Sequence, residues 1–191
     1  MGLPQPNGAP IRSRTFTPNG SSMSSDPAPS PIVIHVGELL FGRGRRRIRT
    51  LLGSCVAITL WHPRQRLGGI CHFAIPSRPA GTPGPLSARY GDDCLELFRR
   101  SAEERGTRLV EYEARIFGGG DMLAGHRAPR ELDSVQRQPV GDANAARAFE
   151  LLMAEGVSIL EADVGEQGYR TVEFDAVTGQ VQARFQRLRA D

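Results

Sequence analysis

The stretch Thr50-Leu-Leu-Gly-Ser-Cys-Val-Ala-Ile-Thr-Leu-Trp61, followed after a turn by Leu67-Gly-Gly-Ile-Cys-His-Phe-Ala-Ile75, decides how this chain is read. Both runs have strand composition, and His62-Pro63-Arg64-Gln65 between them has turn composition. With those four residues as the loop, antiparallel pairing sets Trp61 opposite Arg66, Ala57 opposite Ile70 and Cys55 opposite His72. Opposed side chains have Cβ atoms about 4.5–5.5 Å apart, a spacing at which a thiol meets an imidazole.

The two-residue period of a strand sorts the side chains further. Val56, Ile58 and Leu60 share an apolar face with Leu67, Cys71 and Phe73, while Cys55, Ala57 and Thr59 share the other with Gly68, Ile70 and His72. Cys55 and His72 therefore leave the main apolar face together. A one-residue slip would part them.

That pairing carries chemistry because the thiolate, not the thiol, is the nucleophile, and a free thiol has a pKa of about 8.5. A histidine in contact takes the proton and returns it to a leaving amine. Gly53-Ser54 permits a tight bend whose amides, with that of Cys55, can face a developing oxyanion. These parts suit acyl transfer from an amide or ester through a thioester. The residues alone leave two other readings open: a small buried cysteine with a structural histidine, and zinc held by Cys55, His62, Cys71 and His72. Zinc is disfavoured because there is no Cys-x-x-Cys pair and the adjacent Cys71 and His72 point to opposite faces. Cys94 reads as packing.

Outward from this hairpin, Pro31–Val36 reads as a short strand and Tyr90–Glu104 as a helix. Leu95, Phe98 and Ala102 lie on one stripe of that helix, with Asp92 and Asp93 in its first turn and Gly106 past its end. Leu109–Phe117 alternates as a strand, with Val110, Tyr112, Ala114 and Ile116 on one face. Ala143–Glu155 reads as a second helix capped by Asp142 and stopped by Gly156. Strands at Val157–Val164, Thr171–Phe174 and Gln180–Phe185 follow, the last two a hairpin around Thr178-Gly179. Few helices and many antiparallel signals give an α+β class.

The chain has 191 residues, 22 glycines and 14 prolines. Residues 1–31 hold seven of those prolines and few large apolar side chains, so they are expected to be a disordered tail ahead of a single domain over 32–191. Three scattered cysteines argue against a disulfide scaffold. No run has the length of a membrane span, and no signal-peptide pattern opens the chain, so a cytoplasmic protein without membrane insertion is expected. All 24 basic residues are arginines. Arg43, Arg45, Arg46, Arg47 and Arg49 cluster, but no aromatic residues interleave with them, so they read as a solvated face rather than a nucleic-acid site. Phe117-Gly-Gly-Gly120 lacks the lysine of a phosphate loop and reads as a close backbone approach or a turn.

Read together, the pieces resemble one family. Leu52-Gly-Ser-Cys-Val-Ala57, a Trp-His-Pro turn, Gly68-Gly69 and His72-Phe-Ala-Ile-Pro76 occur in the order found in chemoreceptor glutamine deamidases, the CheD family. Arg89-Tyr-Gly-Asp92, Arg115-Ile-Phe-Gly-Gly-Gly-Asp-Met122, Val140-Gly-Asp-Ala-Asn144, Asp163-Val-Gly165, Gly168-Tyr-Arg170 and Phe174-Asp-Ala-Val-Thr-Gly179 continue the likeness. The resemblance implies a layered α/β sandwich of mixed, largely antiparallel sheet with two main helices, like deamidating cysteine hydrolases. It implies a protein-glutamine glutaminase, an amidohydrolase on linear amides, that converts receptor glutamines to glutamate and ammonia without a cofactor. In that scheme Cys55 is the nucleophile, His72 the base and Thr50 the residue that orients the base. The family's late Gly-Gly pair is Gly165-Glu166 here. The expected partners are the cytoplasmic domains of methyl-accepting chemoreceptors and a chemotaxis phosphatase, with no nucleic acid. The alternative function is a non-catalytic module that docks on those receptors or on that phosphatase.

Overall fold

The computed structural model describes residues 30–44, 47–122 and 139–188. The expected tail over 1–31 falls almost wholly outside them, as do Arg45 and Arg46 of the arginine cluster.

The elements in chain order are β1 (Ile32–Val33), β2 (Glu38–Gly42), β3 (Arg47–Leu52), β4 (Val56–His62), β5 (Leu67–Phe73), α1 (Gly91–Glu103), β6 (Glu113–Gly118), α2 (Val140–Ala154), β7 (Ser158–Val164), β8 (Gly168–Asp175) and β9 (Val181–Arg187). A 3₁₀ turn, Leu109–Glu111, precedes β6. The strands make two sheets, one ordered β1-β3-β8-β9 and one ordered β2-β5-β4-β6-β7. Among the strands of the described residues, β1–β3 and β6–β7 are the parallel pairs. The second of these needs a crossover, which α2 supplies. The α+β class and the largely antiparallel pairing stand as expected, with the sheet layer doubled.

Two apolar clusters explain the layering. Val56, Ile58, Leu60, Leu67, Cys71 and Phe73 pack on Leu95, Phe98, Ala148 and Leu152 from the helices. On the opposite side of the five-stranded sheet, Ala57, Trp61, Ile70 and Phe117 pack on Ile48, Leu52, Val172 and Phe174 of the four-stranded sheet. Strands β4 and β5 are buried along their whole length because both their faces are covered. The order is therefore helices, sheet, sheet. The outer face of the four-stranded sheet meets solvent, with Arg47 and Arg49 both paired to Glu173 and Leu51 59% exposed.

Several expectations are corrected. The run Thr50–Trp61 is two strands in different sheets, broken at Gly53-Ser54-Cys55. The β4–β5 loop is Pro63–Arg66, one residue later than expected, so His72 lies opposite Ala57 and Gly68 opposite Trp61. His62 stays in the strand because it is buried, its ring standing edge-on to Tyr112 at 5.1 Å, and Arg66 makes the turn at φ 48°. Strand β2 is added where no strand was expected. Leu109–Glu111 is a 3₁₀ turn that leaves Val110 exposed, not the start of β6. Helix α2 begins at Val140 behind Pro139, and Asp142 sits within its first turn rather than capping it.

Candidate functional site

Chain geometry gathers the site where the polypeptide changes sheets. β3 ends at Leu52 in one sheet and β4 starts at Val56 in the other, so Gly53, Ser54 and Cys55 form the passage between layers. Thr50 points inward from β3 and is 1% exposed. His72, 5% exposed, points into the same gap from β5, on the face it shares with Ala57 and Ile70. Cys55 packs against that inter-sheet cluster, two residues before Ala57. It lies just outside β4, on the side of Ala57, which faces His72, and not directly opposite His72 as expected; among the described residues the thiol and the imidazole do not hydrogen-bond. The two residues remain on one side of the sheet, because shifting a loop by one residue at both strands changes register by two and preserves parity.

Hydrogen bonding fixes the state of the imidazole. The Thr50 hydroxyl donates to the carbonyl oxygen of Ile34 at 2.9 Å and lies 2.8 Å from His72 Nδ1. A hydroxyl has one proton. With that proton on Ile34, Nδ1 must be the donor to Thr50, and Nε2 carries the lone pair. Nε2 is itself buried without a hydrogen-bond partner. Burial, with His35 nearby and Glu38 opposing, lowers the imidazole pKa to about 4, so the ring is neutral at neutral pH. Burial likewise pushes the Cys55 thiol up, against the pull of Arg89. At rest the thiol and the imidazole are therefore both neutral. Of the three cysteines, Cys55 alone is partly exposed; Cys71 and Cys94 are buried.

A glycine brace holds the passage. The Gly119 amide donates to the carbonyl of Cys55 and the Gly120 amide to that of Gly53, both at 2.8 Å. A Cβ at Gly118 would stand 2.2 Å from the Cys55 carbonyl oxygen, and one at Gly120 would stand 2.3 Å from that of Gly168. The triglycine is therefore a close backbone approach to the site. Asn144 on α2, fully buried, donates through Nδ2 to the carbonyls of Ser54 and Ala74, at 3.0 Å each. It ties the segment before β4 to the segment after β5. With the carbonyls of Gly53, Ser54 and Cys55 all engaged, no acceptor among the described residues takes the amides of Ser54 and Cys55. Met122 closes over the bend, with its Sδ 3.0 Å from where a Gly53 Cβ would be.

The zinc set considered from sequence is not brought together. Cys71 belongs to the helix-side cluster and Cys55 to the inter-sheet one. His62 lies at the far end of β4, against Tyr112.

These features define an α+β sandwich with a cysteine, a tautomer-fixed histidine and a threonine at the seam of two sheets. The chain belongs to the CheD family. The family model, described as CheD chemotactic sensory transduction, matches residues 75–185. The relatives extend the likeness through the seam. A probable chemoreceptor glutamine deamidase CheD of Pseudomonas savastanoi pv. phaseolicola is 40% identical over 159 residues, 83% of this chain and 86% of that one. Probable chemoreceptor glutamine deamidase CheD 3 of Dechloromonas aromatica is 39% identical over 154 residues, 81% and 86% of the two chains. Probable chemoreceptor glutamine deamidase CheD 1 of Chromobacterium violaceum is 37% identical over 161 residues, 84% and 80%. Among the described residues, no helix is long and apolar enough to cross a membrane.

Proposed function

We propose that this chain is a protein-glutamine deamidase that converts glutamines of methyl-accepting chemoreceptors to glutamate in the cytoplasm, with Cys55 as nucleophile, His72 as base and Thr50 as the residue that positions the base. The relatives' names supply the substrate class. The observation that carries the chemistry is the buried, unpartnered Nε2 of an imidazole whose other nitrogen donates to Thr50.

The steps follow from the protonation states. His72 Nε2 takes the proton of the Cys55 thiol as Sγ attacks the side-chain amide carbon of glutamine. The carbonyl oxygen gains the negative charge and is met by the amides of Ser54 and Cys55; one such donor lowers the barrier by about 2.7–4 kcal/mol. The imidazolium then protonates the departing nitrogen, which leaves as ammonia, and a γ-glutamyl thioester remains. Water attacks that thioester with His72 again taking a proton. Collapse expels the sulfur, which recovers its proton, and frees glutamate. Each turnover replaces a neutral side chain by an anion and so adds repulsion along a receptor helix.

Incubating a receptor cytoplasmic fragment with the chain should release ammonia and shift a glutamine-containing peptide by the mass of an amide-to-acid exchange. Cys55→Ala should abolish both while keeping the thermal melt. Turnover that survives this change removes Cys55 from the mechanism. The same variant in pull-downs with receptor fragments and with a chemotaxis phosphatase, the second partner the family resemblance brings in, separates docking from catalysis.

A further inference from the structure

Beside the cysteine–histidine cluster runs a cavity of about 720 Å³ along β2, the edge strand of the five-stranded sheet, roofed by the segment from Arg78 to Tyr90. Leu39, Leu86, Tyr90 and Leu97 give it an apolar lining. Gly37 and Glu38 belong to its wall and also touch the strand that carries the base: the Gly37 amide donates to the His72 carbonyl at 2.8 Å, and Glu38 is the cross-strand partner of His72. The cavity and the catalytic cluster thus share a wall.

Three charged side chains line this space, and two are engaged. Arg78 is bound to Asp93 and to the Pro85 carbonyl. The Glu38 carboxylate accepts from the His35 amide at 2.7 Å. Arg89 differs. Its backbone is fixed, since its carbonyl accepts from Ala74 at 3.1 Å and Ile75 at 3.2 Å, immediately beyond β5. Its side chain is exposed, and among the described residues nothing hydrogen-bonds or ion-pairs with its guanidinium. An anchored arginine whose planar fork makes no hydrogen bond among the described residues, at the rim of an apolar cavity and close enough for its charge to act on Cys55, matches a carboxylate in charge and shape.

We propose that this cavity receives the receptor segment flanking the target glutamine, and that Arg89 selects for a carboxylate side chain on that segment. The proposal rests on the deamidase reading and adds the basis of its sequence preference.

Paired helical peptides carrying one glutamine, with either Glu or Lys scanned across one turn on each side, test it by kcat/KM for ammonia release. The wild-type chain should prefer the Glu peptide at one position by about fivefold or more, as for a partly exposed ion pair, and the preference should shrink with added salt. Arg89→Glu should reverse the preference, and Arg89→Met should erase it. Equal rates on Glu and Lys peptides at every position, or an unchanged preference in both variants, would overturn the proposal and leave deamidation standing. No turnover of any peptide or receptor fragment by the wild-type chain would overturn the deamidase reading itself.

Discussion

Thr50 and His72 come from different sheets, and the 2.8 Å contact between the Thr50 hydroxyl and Nδ1 is what sets which ring nitrogen carries the proton. The hydroxyl can do this because its own proton is committed to Ile34. Thr50→Val keeps the shape and removes the acceptor, leaving a buried N–H unpaired at a cost of about 1–3 kcal/mol. The expected result is a loss of kcat of one to several orders of magnitude with little change in KM, and recovery of most of it in Thr50→Ser. NMR of the ring nitrogens should show Nδ1 protonated in the wild-type chain and a mixture of tautomers in Thr50→Val.

The pH profile follows from burial. An imidazole with its pKa lowered to about 4 is already a competent base throughout the neutral range. The acid limb of kcat/KM should therefore fall near pH 4, not near the ordinary histidine value of about 6.5. Stability has the same sign: the unfolded chain binds the proton first, so the contribution of His72 is intact above about pH 6.5 and is lost as pH falls through about 4. His72→Gln should flatten that part of the stability curve. An acid limb at pH 6.5 in the wild-type chain would contradict the buried, neutral imidazole.

Gly118 and Gly84 form a natural pair for testing the brace. Both have positive φ, 111° and 108°, but a Cβ at Gly84 meets nothing within 4 Å whereas one at Gly118 meets the Cys55 carbonyl at 2.2 Å. Gly84→Ala should show backbone strain alone, about 1–3 kcal/mol. Gly118→Ala should lower the melting temperature further and reduce kcat, because the clash displaces the backbone of the proposed nucleophile. Similar losses in both variants would mean that the brace does not act on Cys55.

Glu166 stands at φ 61°, a left-handed conformation that favours glycine. Its carbonyl accepts the Asp121 amide at 2.8 Å, which ties this turn to the segment just after the triglycine. Its carboxylate is 55% exposed and lies 3.5 Å from Arg187 and 3.9 Å from Arg170, which Asp163 and the Gly165 carbonyl already hold, so both pairs contribute little. Glu166→Gly should therefore stabilise the chain by ~0.5–1 kcal/mol, the relief of strain exceeding the extra chain entropy. Calorimetry would register this as a rise in melting temperature of a few degrees.

What the sequence discloses and what it conceals have physical causes. The faces of β4 and β5 and the stripe of α1 are legible because each buries a periodic set of apolar side chains. Parity therefore puts Cys55 and His72 on one face despite the error in register. That error comes from His62, a polar residue of turn-like company that tertiary packing against Tyr112 draws into the strand. β2 is hidden because Glu38–Gly42 is short and lacks alternation. The start of α2 is hidden because Pro139 precedes it with no capping side chain. That Thr50 faces His72 at all depends on the chain leaving one sheet for another at Gly53–Cys55, and no local pattern announces a change of sheet.

A consequence attaches to that crossing. The trio is assembled only by the docking of one layer on the other, with Trp61, Phe117 and Phe174 among the side chains between them. A molecule in which every hairpin is formed but the layers have drifted apart would keep its secondary structure and all three residues, yet lose the Thr50 contact that fixes the imidazole proposed as the base. Heat or denaturant should thus silence this chain at the moment the inter-sheet seam opens, and a ligand wedged in the mouth of that seam would act as a stitch, protecting the fold and the chemistry together.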